Sequence, residues 1–171
     1  PGLGVAREWV KLHGEGSVLW VGRPEGIERG MAEKAGLPYR SVSSAALRRS
    51  ASLRNLALPW ALGRGIRQAL QWIRAEAPVA VLLTGGYVGL PLGLAAAWNG
   101  TPLVLLEPNA VPGLANRLVK PWAKRWCRAY PAGQADAKSG VTGTPCRFAS
   151  LPSRAESKRV LGFDPGKRTL L

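Results

Sequence analysis

The sequence predicts an α/β protein, a Rossmann-like parallel sheet with helices on both faces. Two observations lead to this fold class. Short apolar segments alternate along the chain with longer amphipathic segments, which is typical of strands alternating with helices. The apolar segments, such as PVAVLL and PLVLLE, are continuous runs without polar alternation, as expected for parallel strands that are buried on both faces.

Each predicted element follows from a periodic segment and its boundary residues. Gly14 ends the first helix, Gly36 and Pro38 end the second, and Pro59 can open the third at its first position. The predicted helices cover Gly2–Leu12, Ile27–Ala35, Pro59–Ala75, Leu90–Trp98 and Leu114–Ala123. The predicted strands cover Ser17–Gly22, Tyr39–Ser43, Pro78–Leu83, Pro102–Glu107 and Trp126–Tyr130, and a short VTGTP element follows.

The charge of the chain favours a polyanionic partner. The 171 residues include 24 Lys and Arg against 10 Asp and Glu, a formal net charge of +14. Nucleic acid, an acidic membrane face and phosphorylated small molecules all fit such a charge. Seven arginines and no acidic residue lie in the range 40–75, and five basic residues and no acidic one lie in the range 108–135. Both stretches contain tryptophans.

Several common kinds of site are excluded or disfavoured. Cys127 and Cys146 are 19 residues apart and form no CxxC motif, which argues against a zinc site and favours two reduced thiols. His13 is the only histidine, so a Ser–His–Asp triad within the chain would have to include it. The sequence contains no P-loop, HExxH or GxGxxG motif. No apolar run approaches the ~20 residues that are needed to cross a bilayer.

The segment TGGYVGLP leaves a predicted buried strand just before a predicted helix. Gly85 and Gly86 have no Cβ to obstruct an anion that approaches the backbone N–H groups, and the start of the helix adds a favourable dipole. The alternative is that the two glycines only form a tight turn between strand and helix.

The segment EPNAVPGLANR leaves the next predicted strand at the same edge of the sheet, so we expect the two segments to be neighbours. The carboxylate of Glu107 and the amides of Asn109 and Asn116 offer the acceptors and donors that suit sugar hydroxyls. The alternative is that the two asparagines cap turns and the following helix, a common role of asparagine.

The predicted helix after Pro59 has an apolar side and a basic side. The apolar side consists of Leu62, Ile66, Ala69, Leu70 and Ile73, and the opposite side carries Arg64, Arg67, Gln68, Gln71 and Arg74, with Trp60 beside the arginines. The apolar side is expected to join the core, as in most surface helices. The combination of leucine and tryptophan with arginine resembles a membrane-interface patch, and a solvated basic face is the alternative.

Several motifs taken together resemble one protein family. LLTGGYVGLPLGLAAAWNGTPLVLLEPNAVPGLANRLVKPWA and the later VTGTPCR are similar, in order and spacing, to the bacterial peptidoglycan N-acetylglucosaminyltransferases, the MurG family. The family pattern has a GGYVSGP-type glycine loop, then HEQN, a G-L-x-N element and a VxGNPVR segment. The resemblance covers nearly the whole chain.

The resemblance implies a two-domain GT-B fold, and residues 1–165 would be its amino-terminal, acceptor-binding half. The first strand of that half and a GGTGGH loop, which carries the histidine expected as catalytic base, would precede Pro1. Residues 166–171 would begin the link to a donor-binding half. Because the chain begins within what resembles a helix and the final KRTLL resembles the start of a strand, we expect a longer protein.

The resemblance also implies roles for individual residues. The acceptor-binding residues would be Gly85, Gly86 and Tyr87, facing a lipid pyrophosphate, with Glu107 and Asn116. The positions associated with the UDP-GlcNAc donor are Asn109 and Arg147. The membrane-association patch would comprise Leu53, Leu56, Trp60, Arg64, Arg67 and Trp122. No metal ion or tightly bound cofactor is expected, and UDP-GlcNAc would be the donor substrate.

Four departures from the family pattern remove hydrogen-bonding groups from the expected cleft. Leu106 stands where the family has histidine, Pro108 where it has glutamine, and Thr144 where it has the asparagine of GNP. Gly89 and Leu90 replace a Ser-Gly pair. These changes leave the expected fold intact and affect the expected acceptor specificity.

The expected function is therefore inverting transfer of GlcNAc from UDP-GlcNAc to lipid I at the cytoplasmic face of the bacterial membrane. The partners would be anionic inner-leaflet lipid, the undecaprenyl-linked acceptor and a carboxy-terminal domain, with no nucleic acid. The chain alone is expected to be inactive. The alternatives are a non-catalytic basic module that binds polyanions, and a GT-B glycosyltransferase for another lipid acceptor.

Overall fold

The computed structural model describes residues 1–44, 58–131, 137–145 and 152–168. The helices are α1 (Gly2–His13), α2 (Ile27–Lys34), α3 (Leu58–Glu76), α4 (Gly89–Asn99), α5 (Leu114–Val119) and α6 (Arg154–Val160), and a 3₁₀ turn (Lys120–Trp122) follows α5. The strands are β1 (Trp20–Gly22), β2 (Tyr39–Ser41), β3 (Val81–Leu83), β4 (Leu103–Glu107), β5 (Arg125–Arg128) and β6 (Ser139–Val141).

The described strands form two parallel sheets. β1 pairs with β2, while β3, β4, β5 and β6 lie side by side in chain order. In the larger sheet Leu83 aligns with Leu105, and Leu105 with Trp126. The carboxyl ends of β3 and β4 therefore lie at one edge, as the sequence predicts for TGGYVGLP and EPNAVPGLANR.

Two separate hydrophobic cores hold the helices against the sheets. The larger core contains Ala69 and Ile73 of α3, Ala95 and Ala96 of α4, Val119 of α5, and Leu83, Leu103, Leu105 and Trp126 of the strands. The smaller core contains Leu3 and Ala6 of α1, Ala32 of α2 and Leu37. The predicted α/β class, with parallel strands flanked by helices, is confirmed. Of the predicted apolar side of α3, Ala69 and Ile73 are buried in the core and Ile66 and Leu70 pack against it, whereas Leu62 is not among the core residues.

The two sheets meet near the start of α1. A Cβ atom on Gly2 would lie 3.1 Å from Cη2 of Trp20 in β1 and 3.3 Å from Cγ2 of Thr84, directly after β3. The sequence predicts one continuous sheet, whereas among the described strands β1 and β3 are not hydrogen-bonded to each other. The amino end of α1 thus lies over the junction between them.

Two differences from the sequence prediction have identifiable reasons. The predicted helix Leu114–Ala123 divides, because Pro121 lacks an N–H and its ring crowds the carbonyl four residues earlier. The α-helix ends at Val119 and the chain continues as the 3₁₀ turn. The sequence prediction missed α6, although Ser153 accepts a hydrogen bond from the N–H of Glu156 at 3.2 Å. The S-x-x-E spacing is the signal that could have identified this helix.

The carboxyl end of the described chain folds back on α6. Lys158 is buried, and its ammonium group donates to the carbonyl oxygens of Pro165 and Lys167. Lys167 lies in a bend and Arg168 has no regular secondary structure, so these two residues do not begin the strand that KRTLL predicts. The last three residues lie outside the described part.

Gly93 in α4 marks a close contact of this helix with β3 and α5. A Cβ there would lie 2.8 Å from Cδ1 of Leu83 and 2.9 Å from Cγ1 of Val119, closer than the roughly 3.5–4.0 Å at which carbon atoms pack. We expect Gly93→Ala to lower the free energy of unfolding by about 1–3 kcal/mol through overpacking, as measured by urea denaturation.

Gly30 in α2 provides a matched control. No atom lies within 4 Å of the position of its Cβ. Gly30→Ala should therefore raise the free energy of unfolding by about 0.5–1 kcal/mol, because alanine is the better helix former. Equal effects of the two substitutions would contradict the described packing of α4 against α5 and β3.

Candidate functional site

The glycine segment after β3 has a backbone conformation that favours glycine. Gly85 has a φ of 90° and Gly86 a φ of 83°, in the region that residues with a Cβ rarely adopt. No atom lies within 4 Å of the position of a Cβ on Gly86. Tyr87 follows with 54% of its surface exposed. The glycines therefore make the turn into α4 and also leave its surface open to a ligand.

Glu107 organises the second segment, which follows β4. The side chain is 2% exposed. Its Oε1 accepts hydrogen bonds from the backbone N–H and the side-chain amide of Asn109, at 3.0 and 2.9 Å. Its Oε2 accepts from the backbone N–H of Gly113 and from Nδ2 of Asn116, both at 3.0 Å. One carboxylate thus fixes the whole loop from Asn109 to the start of α5.

Asn116 connects the two segments. It is 1% exposed, and besides Glu107 its Nδ2 donates to the carbonyl oxygen of Leu106 at 3.5 Å. The same nitrogen lies 3.8 Å from where a Cβ of Gly85 would be. The expectation that the two segments are neighbours is confirmed. The Oδ1 of Asn116 is buried and has no hydrogen-bond partner within the described residues.

Neither Asn109 nor Asn116 is the N-cap of α5. Gly113 is the N-cap of α5 and no side chain caps this helix, so the prediction that an asparagine caps it is wrong. Asn116 lies inside the helix, where its side-chain amide donates a hydrogen bond to Glu107. Glu107 and Asn116 are buried, whereas Asn109 is exposed and donates to Glu107 from the outside of the loop. Contact of these residues with a sugar stays a prediction.

The carboxylate of Glu107 is stabilised in its charged form. Burial raises the pKa of Glu107, but the N–H groups of Gly113 and Asn109 and the amides of Asn116 and Asn109 lower it by more, so that the pKa lies below its ordinary value. The loop is therefore held by charge-assisted hydrogen bonds at neutral pH.

A cavity of about 260 Å³ opens beyond the ends of β4 and β5. It is lined by Glu107, Asn109, Ala110, Val111, Pro112, Trp126, Arg128 and Tyr130. Lys120 and Arg128 approach the ring of Trp126, with Nζ and Cζ at 4.1 and 5.3 Å from its centroid. Arg128 and Tyr130 were not predicted as site residues. Their position at the carboxyl end of a predicted parallel strand is the signal that could have identified them.

The predicted membrane patch is only partly described. Trp60 is 85% exposed on α3, with Arg64 and Arg67 exposed near it in the helix. Trp122 is 54% exposed in the 3₁₀ turn after α5. Leu53 and Leu56 lie outside the described residues, as does the predicted donor-site residue Arg147.

Contrary to the sequence prediction, Gln68 does not lie on the exposed polar side of α3. The sequence places it with the exposed arginines, whereas in the structure it is half-buried and its Oε1 accepts a hydrogen bond from the N–H of Ser43 at 2.7 Å. This bond ties the end of the β2 segment to α3. The backbone N–H of Ser43 is a partner that sequence periodicity does not reveal.

Comparison with known proteins identifies the family. The sequence profile of the glycosyltransferase family 28 N-terminal domain matches residues 1–127. The chain belongs to glycosyltransferase family 28. A relative from Clostridium botulinum is 36% identical over 175 residues, and one from Pseudomonas paraeruginosa is 44% identical over 180. Both are named UDP-N-acetylglucosamine--N-acetylmuramyl-(pentapeptide) pyrophosphoryl-undecaprenol N-acetylglucosamine transferase.

Structural comparison agrees with the family 28 assignment. The crystal structure of Acinetobacter baumannii MurG resembles the chain with a TM-score of 0.70 and 28% identity, covering 89% of this chain and 43% of that one. The predicted fold, one Rossmann-like half of a GT-B glycosyltransferase, is confirmed. The two curated relatives align with 100% and 99% of this chain and with 49% and 50% of their own length. The family 28 chain thus spans about half the length of these relatives.

Two further observations describe what the family 28 chain contains. In residues 1–44, 58–131, 137–145 and 152–168, no group of three or more His, Cys, Asp or Glu side chains is placed to hold a metal ion. Among the same residues, no helix combines the length and the apolar character that crossing a membrane requires.

The role of Glu107 in the family 28 site can be tested by substitution. Glu107→Gln replaces one acceptor oxygen by an NH₂ group that faces N–H donors, so we expect the free energy of unfolding to fall by about 1–3 kcal/mol at pH 7. Because the folded pKa is depressed, the contribution of Glu107 is complete above its unfolded pKa, about 4.3, and is lost as pH falls through the lower folded value.

The deficit of Glu107→Gln relative to the unchanged protein should therefore shrink in urea titrations below about pH 4. Glu15→Gln is the control, since Glu15 is exposed in a turn and its substitution should leave stability unchanged. A deficit that is independent of pH would show that the Glu107 charge does not hold the loop.

Proposed function

We propose that this chain is the acceptor-binding half of an inverting glycosyltransferase that transfers GlcNAc from UDP-GlcNAc to lipid I, giving lipid II in peptidoglycan synthesis. One observation carries the proposal. The open glycine segment after β3 lies beside the Glu107 loop at the carboxyl edge of a parallel sheet, in a family 28 domain. The names of its relatives specify a UDP-GlcNAc donor and a pyrophosphoryl-undecaprenol acceptor.

The glycine segment has the chemistry to receive the acceptor pyrophosphate. Gly86 exposes its backbone to an approaching anion, and α4 begins three residues later, so its dipole adds a favourable potential. Tyr87 is exposed beside the pyrophosphate. Because the Oδ1 of Asn116 is buried and unpartnered, it can accept a hydrogen bond from a donor that enters between the two loops.

The reaction itself is a displacement at a sugar carbon. The C4 hydroxyl of the acceptor sugar attacks C1 of the GlcNAc unit, the bond from C1 to the UDP oxygen breaks, and UDP leaves with the electron pair. Stabilising the leaving diphosphate is an electrostatic task. Asn109, exposed at the cleft edge, would contact the donor. The base that takes the hydroxyl proton is not assigned to a residue of this chain.

The domain proposal uses the junction between the two sheets. A parallel strand that precedes Pro1 would fit between β1 and β3, because the amino end of α1 lies beside Trp20 and Thr84. Its following loop would then adjoin Gly85. Residues 1–165 would complete one domain, and residues 166–171 would begin the link to the donor-binding half.

Roles in the cleft can be separated by kinetics on the full-length protein that includes both halves. Tyr87→Ala should raise the KM for the lipid acceptor about tenfold with little change in the KM for UDP-GlcNAc, and Asn109→Ala should do the reverse, because each removes one contact of about 1–1.5 kcal/mol. Asn99→Ala, on the exposed end of α4, is the control. The assignment is wrong if both substitutions change both constants equally.

Peripheral binding to the anionic cytoplasmic membrane face is proposed from the exposed side of α3. Trp60 and Arg64 combine an amphipathic ring with a cation, which suits the headgroup region. We expect Trp60→Asp with Arg64→Glu to weaken sedimentation with anionic vesicles about tenfold or more, since each basic residue contributes about 1 kcal/mol near such a surface.

The matched control is the double variant Val160→Asp with Arg154→Glu, which changes an exposed apolar residue and an exposed basic residue on α6. It should weaken vesicle binding only through the lower net charge of the chain. The same proteins are titrated with single-stranded DNA over a salt series. Equal and purely salt-dependent binding to DNA and vesicles would favour the alternative of a basic polyanion-binding module, which the net charge of +14 supports.

A further inference from the structure

An exposed apolar row runs along α5 and the 3₁₀ turn, and we call it the α5 stripe. It consists of Leu114, Leu118 and Trp122, which are spaced four residues apart and are 53%, 48% and 54% exposed. Residues at this spacing lie on one side of a helix. The opposite side of the same element packs into the core through Val119. About half of the surface of each of these side chains is therefore left exposed by the described residues.

The helix that carries the stripe, α5, begins beside the glycine segment. Cβ of Ala115 lies 3.8 Å from where a Cβ of Gly89 would be, and Asn116 is equally close to the corresponding position on Gly85. With a rise of about 1.5 Å per residue in α5 and about 2.0 Å in the 3₁₀ turn, Leu114 to Trp122 extends about 13 Å along the element. A ligand whose anionic head rests on the glycine segment could therefore lay an attached chain along the stripe.

The charges beside the stripe fit such a ligand. Arg117 and Lys124 are exposed on the same stretch, and residues 108–131 contain no acidic side chain. Cations beside an apolar row match a molecule that joins a diphosphate to a hydrocarbon. A purely apolar partner would have no need of this charge.

We propose that the α5 stripe binds the isoprenoid chain of the polyprenyl diphosphate acceptor. Leu114 would contact the isoprene units nearest to the diphosphate, and Leu118 and Trp122 the following ones. The inference rests on the proposed function, because it needs the diphosphate at the glycine segment. The site proposed for the hydrocarbon of the substrate is thus a different surface from the site around Trp60 that is proposed to contact the lipid bilayer.

The test uses the full-length protein in detergent and the double variant Leu118→Ser with Trp122→Ser. Two lipid I acceptors with the same head are compared, one with a long polyprenyl chain and one with a short chain that ends before Leu118. We expect the KM for the long-chain acceptor to rise about tenfold, from lost apolar contact, with kcat and the KM for the short-chain acceptor unchanged. The control is Val79→Ser with Leu161→Ser, two exposed apolar residues outside the stripe.

A second readout does not depend on sugar transfer. Binding of a long-chain polyprenyl diphosphate without sugar is measured by equilibrium titration, and the double variant should bind about tenfold more weakly than the control. An equal loss for both chain lengths would overturn the inference. So would a variant that loses only binding to anionic vesicles, since the stripe would then contact the bilayer. If the unchanged protein transfers no GlcNAc but still binds the long-chain diphosphate through the stripe, the proposed function fails and the inference stands.

Discussion

The buried carboxylate of Glu107 is the interaction on which the candidate site depends. Four hydrogen bonds converge on its two oxygens, from the Asn109 backbone and amide, the Gly113 backbone and the Asn116 amide. A buried charge is costly unless it is saturated in this way. The donors therefore cannot leave without exposing an unsatisfied carboxylate. This constraint fixes the exit of β4, the first turn of α5 and, through Asn116, the place of the glycine segment.

The site combines two kinds of surface that arise from the same helices. At the carboxyl edge of the strands, backbone and amide groups provide a polar face suited to phosphate and sugar. Along the outer sides of α3 and α5, aromatic and aliphatic side chains alternate with arginine and lysine. A substrate with a polar head and a hydrocarbon tail needs both surfaces next to each other. The start of α5 lies beside the glycine segment, and Gly65 of α3 lies beside Pro91 near the start of α4.

Periodicity and boundary residues were sufficient to predict the fold class and most elements. The same reasoning placed Thr84–Pro91 beside Glu107–Arg117, since parallel strands end at one edge. It could not predict the inward role of Glu107 and Asn116, because their partners are backbone groups and amides whose positions depend on the folded loop. Gln68 illustrates the same limit, since its partner is the N–H of Ser43, 25 residues away in the chain. The family resemblance supplied the remaining assignments, and their roles rest on the proposals above.

The close approach at Gly93 has a consequence for how the protein can move. Because α4 is seated directly on β3 and α5, with no side chain on Gly93 to act as a spacer, the turn at the head of α4 is coupled to the Glu107 loop through the core. A shift of the turn at the head of α4 would therefore also displace α5 and the Glu107 loop that precedes it. The two loops would thus respond to a ligand as one rigid unit.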